Sequence, residues 1–336
     1  MQLIRLPGAP LPVSRPPVIA TIGNFDGVHR GHRALLDHVR ERAAKQALKV
    51  AVVTFDPHPR LVLRPSAPLR LISPVEEKLA LFEEAGVDIT VLWRFDAALQ
   101  QMEAEEFLRE LRRYVTLRHL VHGPGFALGR RRQGTPEVVA EIGKQMGFSM
   151  EVLSAVELEV AGSGSEPVTS TAIRSQIEAG QVVEAARGLG RPPTVSGTVV
   201  EGEKLGRTLG FPTANLDADE RVAIPADGVY AASAELHPFT AAALQHPAAV
   251  SFGSRPTFDG RKRVVEAYLL DFDGDLYGQP LRVHFVRRLR GQERFDSIDA
   301  LIQQMGRDVQ KVRAALAAGS GAPLAVGASP GSLDYR

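Results

Sequence analysis

Apolar positions along the chain change their period near residue 190. Before that point, short apolar runs alternate with segments whose apolar residues recur every three or four positions. Residues 18–23, 50–55, 88–93, 117–121 and 149–159 read as strands. The second of these is apolar except for Thr54, which predicts burial on both faces. Between them, residues 32–48 place Leu35, Leu36, Val39 and Ala43 on one helical face. Residues 104–114 and 136–146 predict further helices. Another helix opens at Ser73-Pro74, with Ser as N-cap, Pro at N1 and Glu76 at N3, and ends near Glu84. Residues 1–17, which hold five prolines, read as an irregular lead-in. Alternation of this kind predicts an α/β domain with a parallel sheet, and such sheets bind ligands at the carboxyl ends of their strands. The unusual residues cluster after Gly23, after Phe55 and after Val121, where those ends should lie.

Residues 161–167 form a polar loop, and residues 171–189 are helical with a break at Gly180. Arg191-Pro192-Pro193 punctuates the chain. Beyond it, residues 194–201, 228–235, 248–252, 264–272 and 281–289 show period-2 character, and one helix follows over 297–315. Strands followed by a single helix predict a compact, mostly-β barrel with a C-terminal helix packed on it. Residues 319–336, rich in Gly, Ala, Pro and Ser, read as a flexible tail.

The length, 336 residues, agrees with two domains. Hydrophobic residues at 44% and charged residues at 24% exclude wholesale disorder. Forty basic residues against 39 acidic ones leave a net charge of +1, which argues against a strongly basic nucleic-acid binder. Only seven of the 40 are Lys. Arg suits bidentate pairing with carboxylate or phosphate, although a codon bias gives the same count. With no cysteine, thiol chemistry and zinc thiolate sites are excluded. No apolar run is long enough to span a membrane, and no signal peptide is read, so the cytoplasm is the expected compartment.

Two constellations carry chemistry. Residues 21–32 read TIGNFDGVHRGH, between an apolar strand and an amphipathic helix. If His32 starts that helix, its unpaired N–H groups favour phosphate, and Gly31 admits close approach. The imidazoles of His29 and His32 could then stabilise charge on phosphate oxygens. Two histidines near a turn also fit a metal site or a solvated surface. No Walker A loop occurs. Residues 197–216 read GTVVEGEKLGRTLGFPTANL, a tight loop over something bound or an ordinary Gly-rich turn. Thr213 and Asn215 offer hard oxygen donors suited to Mg²⁺. Glu266 shares a strand face with Tyr268 and Leu270. An acid facing into a barrel is costly unless paired or used; a Glu on the solvated face fits the pattern equally.

His-x-Gly-His after a first strand resembles the class I nucleotidyltransferases. NFDGVHRGH, TFDPHPR at residues 54–60 and SPVEEK at residues 73–78 resemble, within them, the prokaryotic bifunctional riboflavin kinase/FAD synthetase family. The resemblance implies a Rossmann-like domain over residues 1–187, a linker at 188–193, a six-stranded-type kinase barrel over 194–316 and a tail over 317–336. In the first domain it implies that His29 and His32 stabilise adenylyl transfer. Gly23, Asn24, Phe25, Asp26 and Gly31 would shape the nucleotide pocket, with His58 and Pro59 by the flavin or phosphate end. TSTAIR at residues 169–174 matches a family Ser-Ser-Thr-x-Ile-Arg element. Ser170 and Thr171 would cap a helix and bond pyrophosphate, and Arg174 would neutralise phosphate charge. In GPGFALGRRR at residues 123–132, Gly125 stands where the family usually has Asp or Asn, and Leu128 replaces a Phe. Arg130, Arg131 and Arg132 read as a solvated basic face or as triphosphate contacts.

Pro212-Thr213-Ala214-Asn215 resembles the riboflavin kinase signature. The resemblance implies that Thr213 and Asn215 coordinate Mg–ATP under a flap of Gly202, Lys204, Gly206, Arg207, Gly210 and Pro212. Glu266 becomes the general base toward the terminal ribityl hydroxyl. SFGSRPTF, DFDGDLYG and LRGQERF also match, and Arg290, Glu293 and Phe295 become candidate flavin contacts. The implied activity is phosphorylation of riboflavin to FMN, then adenylylation of FMN to FAD, with Mg²⁺, ATP, riboflavin and FMN as the small molecules involved. No nucleic-acid or membrane partner is expected, and the chain should be a monomer or weak homo-oligomer. The alternatives are a riboflavin kinase whose adenylyltransferase half is weak or inactive, motivated by Gly125, a nucleotidyltransferase acting on another phosphate, and a nucleic-acid-binding module using Arg112, Arg113 and the arginines at 130–132.

Overall fold

The structure is a computed structural model. It describes residues 1–319 except 68, 156, 161–163, 203, 204, 258 and 259; the tail expected at 319–336 lies, past Gly319, outside the described residues. By packing, the chain divides into two compact units. The first comprises Met1–Leu69 and Pro74–Thr169; the second comprises Arg70–Ser73 and the chain from Ser170 onward.

The first unit runs β1 (Gln2–Leu6), β2 (Pro17–Ile22), α1 (Arg30–Lys45), β3 (Lys49–Asp56), α2 (Pro59–Leu63), α3 (Val75–Glu84), β4 (Ile89–Arg94), α4 (Ala97–Gln101), α5 (Ala104–Leu111), β5 (Thr116–His122), α6 (Pro136–Met146), β6 (Ser149–Val152), β7 (Glu157–Val160) and β8 (Gly164–Pro167). The six-stranded sheet has the order β1-β4-β3-β2-β5-β6, and every pairing in it is parallel. Alternation sends Ile19, Val50 and Val52 to one face, under Leu36 and Val39 of α1 and Phe82 of α3. Val18, Ala20, Ala51 and Val53 go to the other, under Phe107, Leu108 and Leu111 of α5 and Val139 of α6. The predicted two-sided burial of β3 holds from Val50 to Thr54.

Four expectations are corrected in this unit. The lead-in contains a strand, because Gln2–Leu6 pairs in parallel with β4 at the sheet edge; five prolines masked this short run. The predicted strand over 149–159 is two, since β7 leaves the sheet to pair antiparallel with β8. The helix after Ser73 begins at Val75, and its cap position, Pro74, has no side-chain bond to give. α1 begins at Arg30, two residues before His32, with His29 as N-cap.

The second unit runs α7 (Ser170–Glu178), α8 (Val182–Leu189), β9 (Thr194–Val200), α9 (Leu205–Thr208), β10 (Ala214–Ala218), β11 (Gly228–Leu236), β12 (Leu244–Thr257), β13 (Gly260–Leu269), β14 (Pro280–Arg290) and α10 (Ile298–Gly319). The strands close a barrel in the order β10-β13-β12-β11-β14-β9, antiparallel at each pairing. Tyr230, Phe252, Val265, Val283 and Phe285 fill its interior. β11 is buried on both faces, because Val312 and Ala315 of α10 cover Ala231 from outside. The segment 197–216, read as a loop, contains the sixth strand. Ala214–Ala218 is too short for its alternation to stand out beside a proline and four glycines. α7 and α8 pack with the barrel, whose core includes Val182 of α8, and the packing division falls at Thr169/Ser170, ahead of the linker expected at 188–193. Leu71 also belongs here. Its N–H donates to the Arg221 carbonyl (2.6 Å), and its carbonyl accepts from Ala223 N–H (2.7 Å).

Candidate functional sites

In the first unit, the chain proceeds outward from β2 to β3 and β4, then returns to place β5 on the other side of β2. The reversal falls at the carboxyl ends of β2 and β5, the position where open α/β sheets bind ligands. Gly23–His29 leave the end of β2 there. His29 caps α1, its Nδ1 accepting from the His32 backbone N–H at 3.4 Å. In the neutral tautomer that makes this bond, the ring proton is on Nε2. The His29 and His32 rings stack, with centroids 3.6 Å apart and planes 18° apart. Gly31 permits this, because a Cβ there would stand 3.2 Å from the His29 ring and 3.7 Å from the Val168 carbonyl oxygen. Phe25 supports His32 from behind at 5.0 Å and meets Phe82 edge-on.

The His32 pKa lies well below 6.5, through burial first and then the charges of His29 and Lys78. Its Nδ1 is buried without a hydrogen-bond partner among the described residues. Lys78, on α3, closes the SPVEEK string, but the sequence reading gave it no role in this site. It is 7% exposed, and its ammonium donates to Thr54 Oγ1 (3.2 Å), the Phe55 carbonyl (3.2 Å) and the Asn24 carbonyl (3.4 Å). Burial lowers its pKa from 10.5 to about 8, against the opposing pull of Asp26 and Asp56. Lys78 thus ties the ends of β2 and β3 together. The available signal was a charged residue four positions before the buried Phe82, on the apolar stripe of α3.

Asn24, Phe25, Asp26, His29, His32 and Gly31 are gathered at this end of the sheet. His58 caps α2, accepting from Arg60 N–H at 3.1 Å, and Pro59 opens that helix. Arg130, Arg131 and Arg132 form an exposed turn; Arg132 donates to the Gly125 carbonyl at 2.8 Å, and Arg130 lies 3.8 Å from Glu103. Ser170, Thr171 and Arg174 lie on α7 in the second unit, where Arg174 Nε donates to the Arg70 carbonyl.

On the barrel, β10 and β13 pair so that Asn215 stands directly opposite Glu266. Ser251 of β12 stands opposite Glu266 on its other side. Side chains at paired positions share a face, so these three form a row across three strands. The row lies outside the barrel. Val265, Ala267 and Leu269 take the interior, which corrects the inward reading of Glu266; two interleaved apolar stripes on β13 hid the choice. Gly202 packs on this row, since a Cβ there would lie 2.2 Å from Asn215 Nδ2. At Gly206 a Cβ would lie 2.4 Å from the Phe211 carbonyl oxygen and 3.3 Å from Thr213 Oγ1. Phe211 meets Tyr268 edge-on at 5.3 Å. Gly202, Gly206, Pro212, Thr213, Asn215 and Glu266 are therefore assembled on one side of the barrel. Arg207 is on the short α9 and Gly210 just beyond it, while Lys204 lies outside the described residues.

At the far end of the row, Gln292 donates to Ser251 Oγ at 3.1 Å. Arg290 is held by the buried Asp308 of α10 at 2.8 Å, lies 3.9 Å from Glu293, and stands over Phe295 at 5.7 Å. The loop after β14 thus meets the row that begins at Asn215. Gln292 and Ser251 extend the candidate set beyond the residues read from sequence.

A family model for FAD synthetase matches residues 12–171, and one for riboflavin kinase matches residues 189–316. A bifunctional riboflavin kinase/FMN adenylyltransferase of Escherichia coli K12 is 36% identical over 292 residues, covering 86% of this chain and 90% of that protein. The Pseudomonas fluorescens protein of the same description is 38% identical over 299 residues, covering 88% and 92%. A crystal structure from Streptococcus pneumoniae, described as a macrolide-efflux protein, superposes with a TM-score of 0.81 at 29% identity, covering 93% of this chain and 99% of that one. No helix among the described residues is long and apolar enough to cross a membrane. With both family models in order on one chain, and relatives of this identity spanning nearly all of it, the chain belongs to the bifunctional riboflavin kinase/FMN adenylyltransferase family.

Proposed function

We propose that this chain makes FAD from riboflavin in two ATP-consuming steps, with the barrel residues performing the first and the β2–α1 residues the second. In the first step the terminal ribityl oxygen attacks the γ-phosphorus of ATP. The bond from that phosphorus to the bridging oxygen breaks, ADP leaves, and Glu266 takes the hydroxyl proton. Such transfers are governed by positioning and charge stabilisation, with a modest role for the base. The observation that carries this reading is the row Asn215–Glu266–Ser251, flanked by the close-packed Gly202 and the Arg290–Phe295 loop. Thr213 and Asn215 supply hydroxyl and amide oxygens, hard donors that fit Mg²⁺ shared with substrate phosphates and water. When bound, Mg²⁺ offsets negative charge on those phosphates.

In the second step a phosphate oxygen of FMN attacks the α-phosphorus of another ATP, and pyrophosphate leaves. The stacked imidazoles at the start of α1 stabilise charge on the phosphate oxygens, with the helix N-terminus contributing in the same direction. Both substrates are small, ATP is a cytoplasmic metabolite, and the reading asks for no residue from a second copy.

The test is a time course with riboflavin, ATP and Mg²⁺, resolving FMN from FAD. FMN should rise first, and FAD and pyrophosphate should follow. Absence of FMN would refute the kinase assignment. A second reading, a kinase with a weak adenylyltransferase half, is favoured by Gly125. No atom lies within 4 Å of where its Cβ would stand, so that side chain position offers ATP no polar group. FMN accumulating without FAD would select it.

A further inference from the structure

His122 is the last residue of β5 and is 1% exposed. Its ring stacks on Phe126, with centroids 3.6 Å apart and planes 21° apart. Nδ1 lies 3.2 Å from the Gly123 carbonyl oxygen, so in this contact Nδ1 is the N–H donor. Burial holds the imidazole below its ordinary pKa, and the ring is neutral at neutral pH. A neutral ring with its proton on Nδ1 leaves Nε2 as a lone-pair acceptor. That atom is buried and has no hydrogen-bond partner among the described residues. An unpaired buried acceptor is costly, and a strand end avoids that cost by carrying an apolar residue instead. Its location is specific. β5 flanks β2 at the reversal of the sheet, so His122 ends its strand at the same carboxyl edge where β2 leads into the segment that carries His29 and His32. The backbone three residues on, at Gly125, leaves open space.

We propose that Nε2 of His122 accepts a hydrogen bond from the nucleoside part of ATP and so fixes the nucleotide that reacts with FMN. The inference rests on the adenylyl-transfer reading of this unit. Ionised phosphate oxygens are ruled out as the partner, because they too are acceptors. The nucleoside has donors of two kinds, the ribose hydroxyls and the adenine amino group. The bond would supply a polar contact that Gly125 lacks.

The experiment is adenylylation of supplied FMN by the full chain at varied nucleotide concentration. Wild type, His122→Val and His122→Gln are compared with ATP, 2′-deoxy-ATP, 3′-deoxy-ATP and the triphosphate of purine riboside, which lacks the amino group. His122→Val should raise KM for ATP about tenfold with kcat changed much less. His122→Gln, whose amide oxygen can accept, should recover most of the loss. Wild type should lose a similar factor with one analogue, and His122→Val should lose nothing more with that same analogue. Riboflavin phosphorylation should be unchanged throughout. A KM for ATP in His122→Val within about twofold of wild type would overturn the proposal. So would losses that multiply for all three analogues. If His122→Val fails to fold, the wild-type analogue series and His122→Gln decide: equal KM for all four nucleotides overturns it. Wild type making no FAD from FMN would instead remove the adenylyl-transfer reading itself.

Discussion

Replacing Lys78 by Met should change how the first unit's stability depends on pH. In the fold, the ammonium is buried among Thr54, Phe55 and Asn24, and its pKa falls from 10.5 to about 8. At about 1.4 kcal/mol per tenfold change, the charged form costs about 3 kcal/mol more in the fold than in the unfolded chain. The direction is opposite to that of a lysine gaining a partner. Below the folded pKa both states are protonated and the penalty is complete. Between the folded and unfolded pKa values the unfolded chain binds more protons, so stability rises with pH. Raising the pH from about 7.5 to about 9.5 should recover about 2 kcal/mol through this group. The assay is urea unfolding followed by tryptophan fluorescence. The chain has one Trp, Trp93, buried on β4 and stacked on Phe107, so the signal reports the first unit alone. Comparing wild type with Lys78→Met cancels groups common to both. Wild type should gain about 2 kcal/mol more than the variant over that interval. Equal gains would refute the claim that Lys78 is buried at the expense of its charge.

Three further outcomes follow from the geometry. Glu266→Gln should lower kcat for riboflavin phosphorylation by about 10²-fold, the lower end for a general base, and leave adenylylation of supplied FMN unchanged, measured by separate assays on one preparation. Gly202→Ala should do similar but smaller damage. Its Cβ would lie 2.2 Å from Asn215, and the displacement should cost about 1–3 kcal/mol, read as a loss of kcat/KM for the kinase alone. His29→Asn and His29→Ala should separate capping from chemistry. Asn keeps a cap for α1 and Ala forfeits about 1 kcal/mol of stability, yet both should lose adenylyl transfer; activity retained in His29→Asn would assign His29 to the cap alone.

Much of this was legible along the chain. β3 announced itself by an apolar run that required cover on both faces, and α1 by Leu35, Leu36, Val39 and Ala43 at helical spacing. Gly180 marked the break between α7 and α8, and the period-2 segments marked the barrel. These signals are local: a strand or helix of ordinary length repeats its pattern several times, and repetition makes the pattern readable. β1, β10 and β8, the last inside the segment read as a polar loop at 161–167, were missed because each has only four or five residues, too few to repeat convincingly beside proline and glycine.

The sequence by itself determined the chemistry on offer: two imidazoles before a helix, a Pro-Thr-Ala-Asn string, and an acid within a strand. Tertiary structure decided which of these groups meet. Register put Glu266 opposite Asn215, and barrel closure sent both outward. Helix packing brought Lys78 to Thr54 across 24 residues, and the sheet's reversal set the end of β5, with His122, beside the end of β2. None of those encounters has a signature within a short window. Each is fixed by burial of apolar area elsewhere, which places polar atoms as a consequence of how the layers pack.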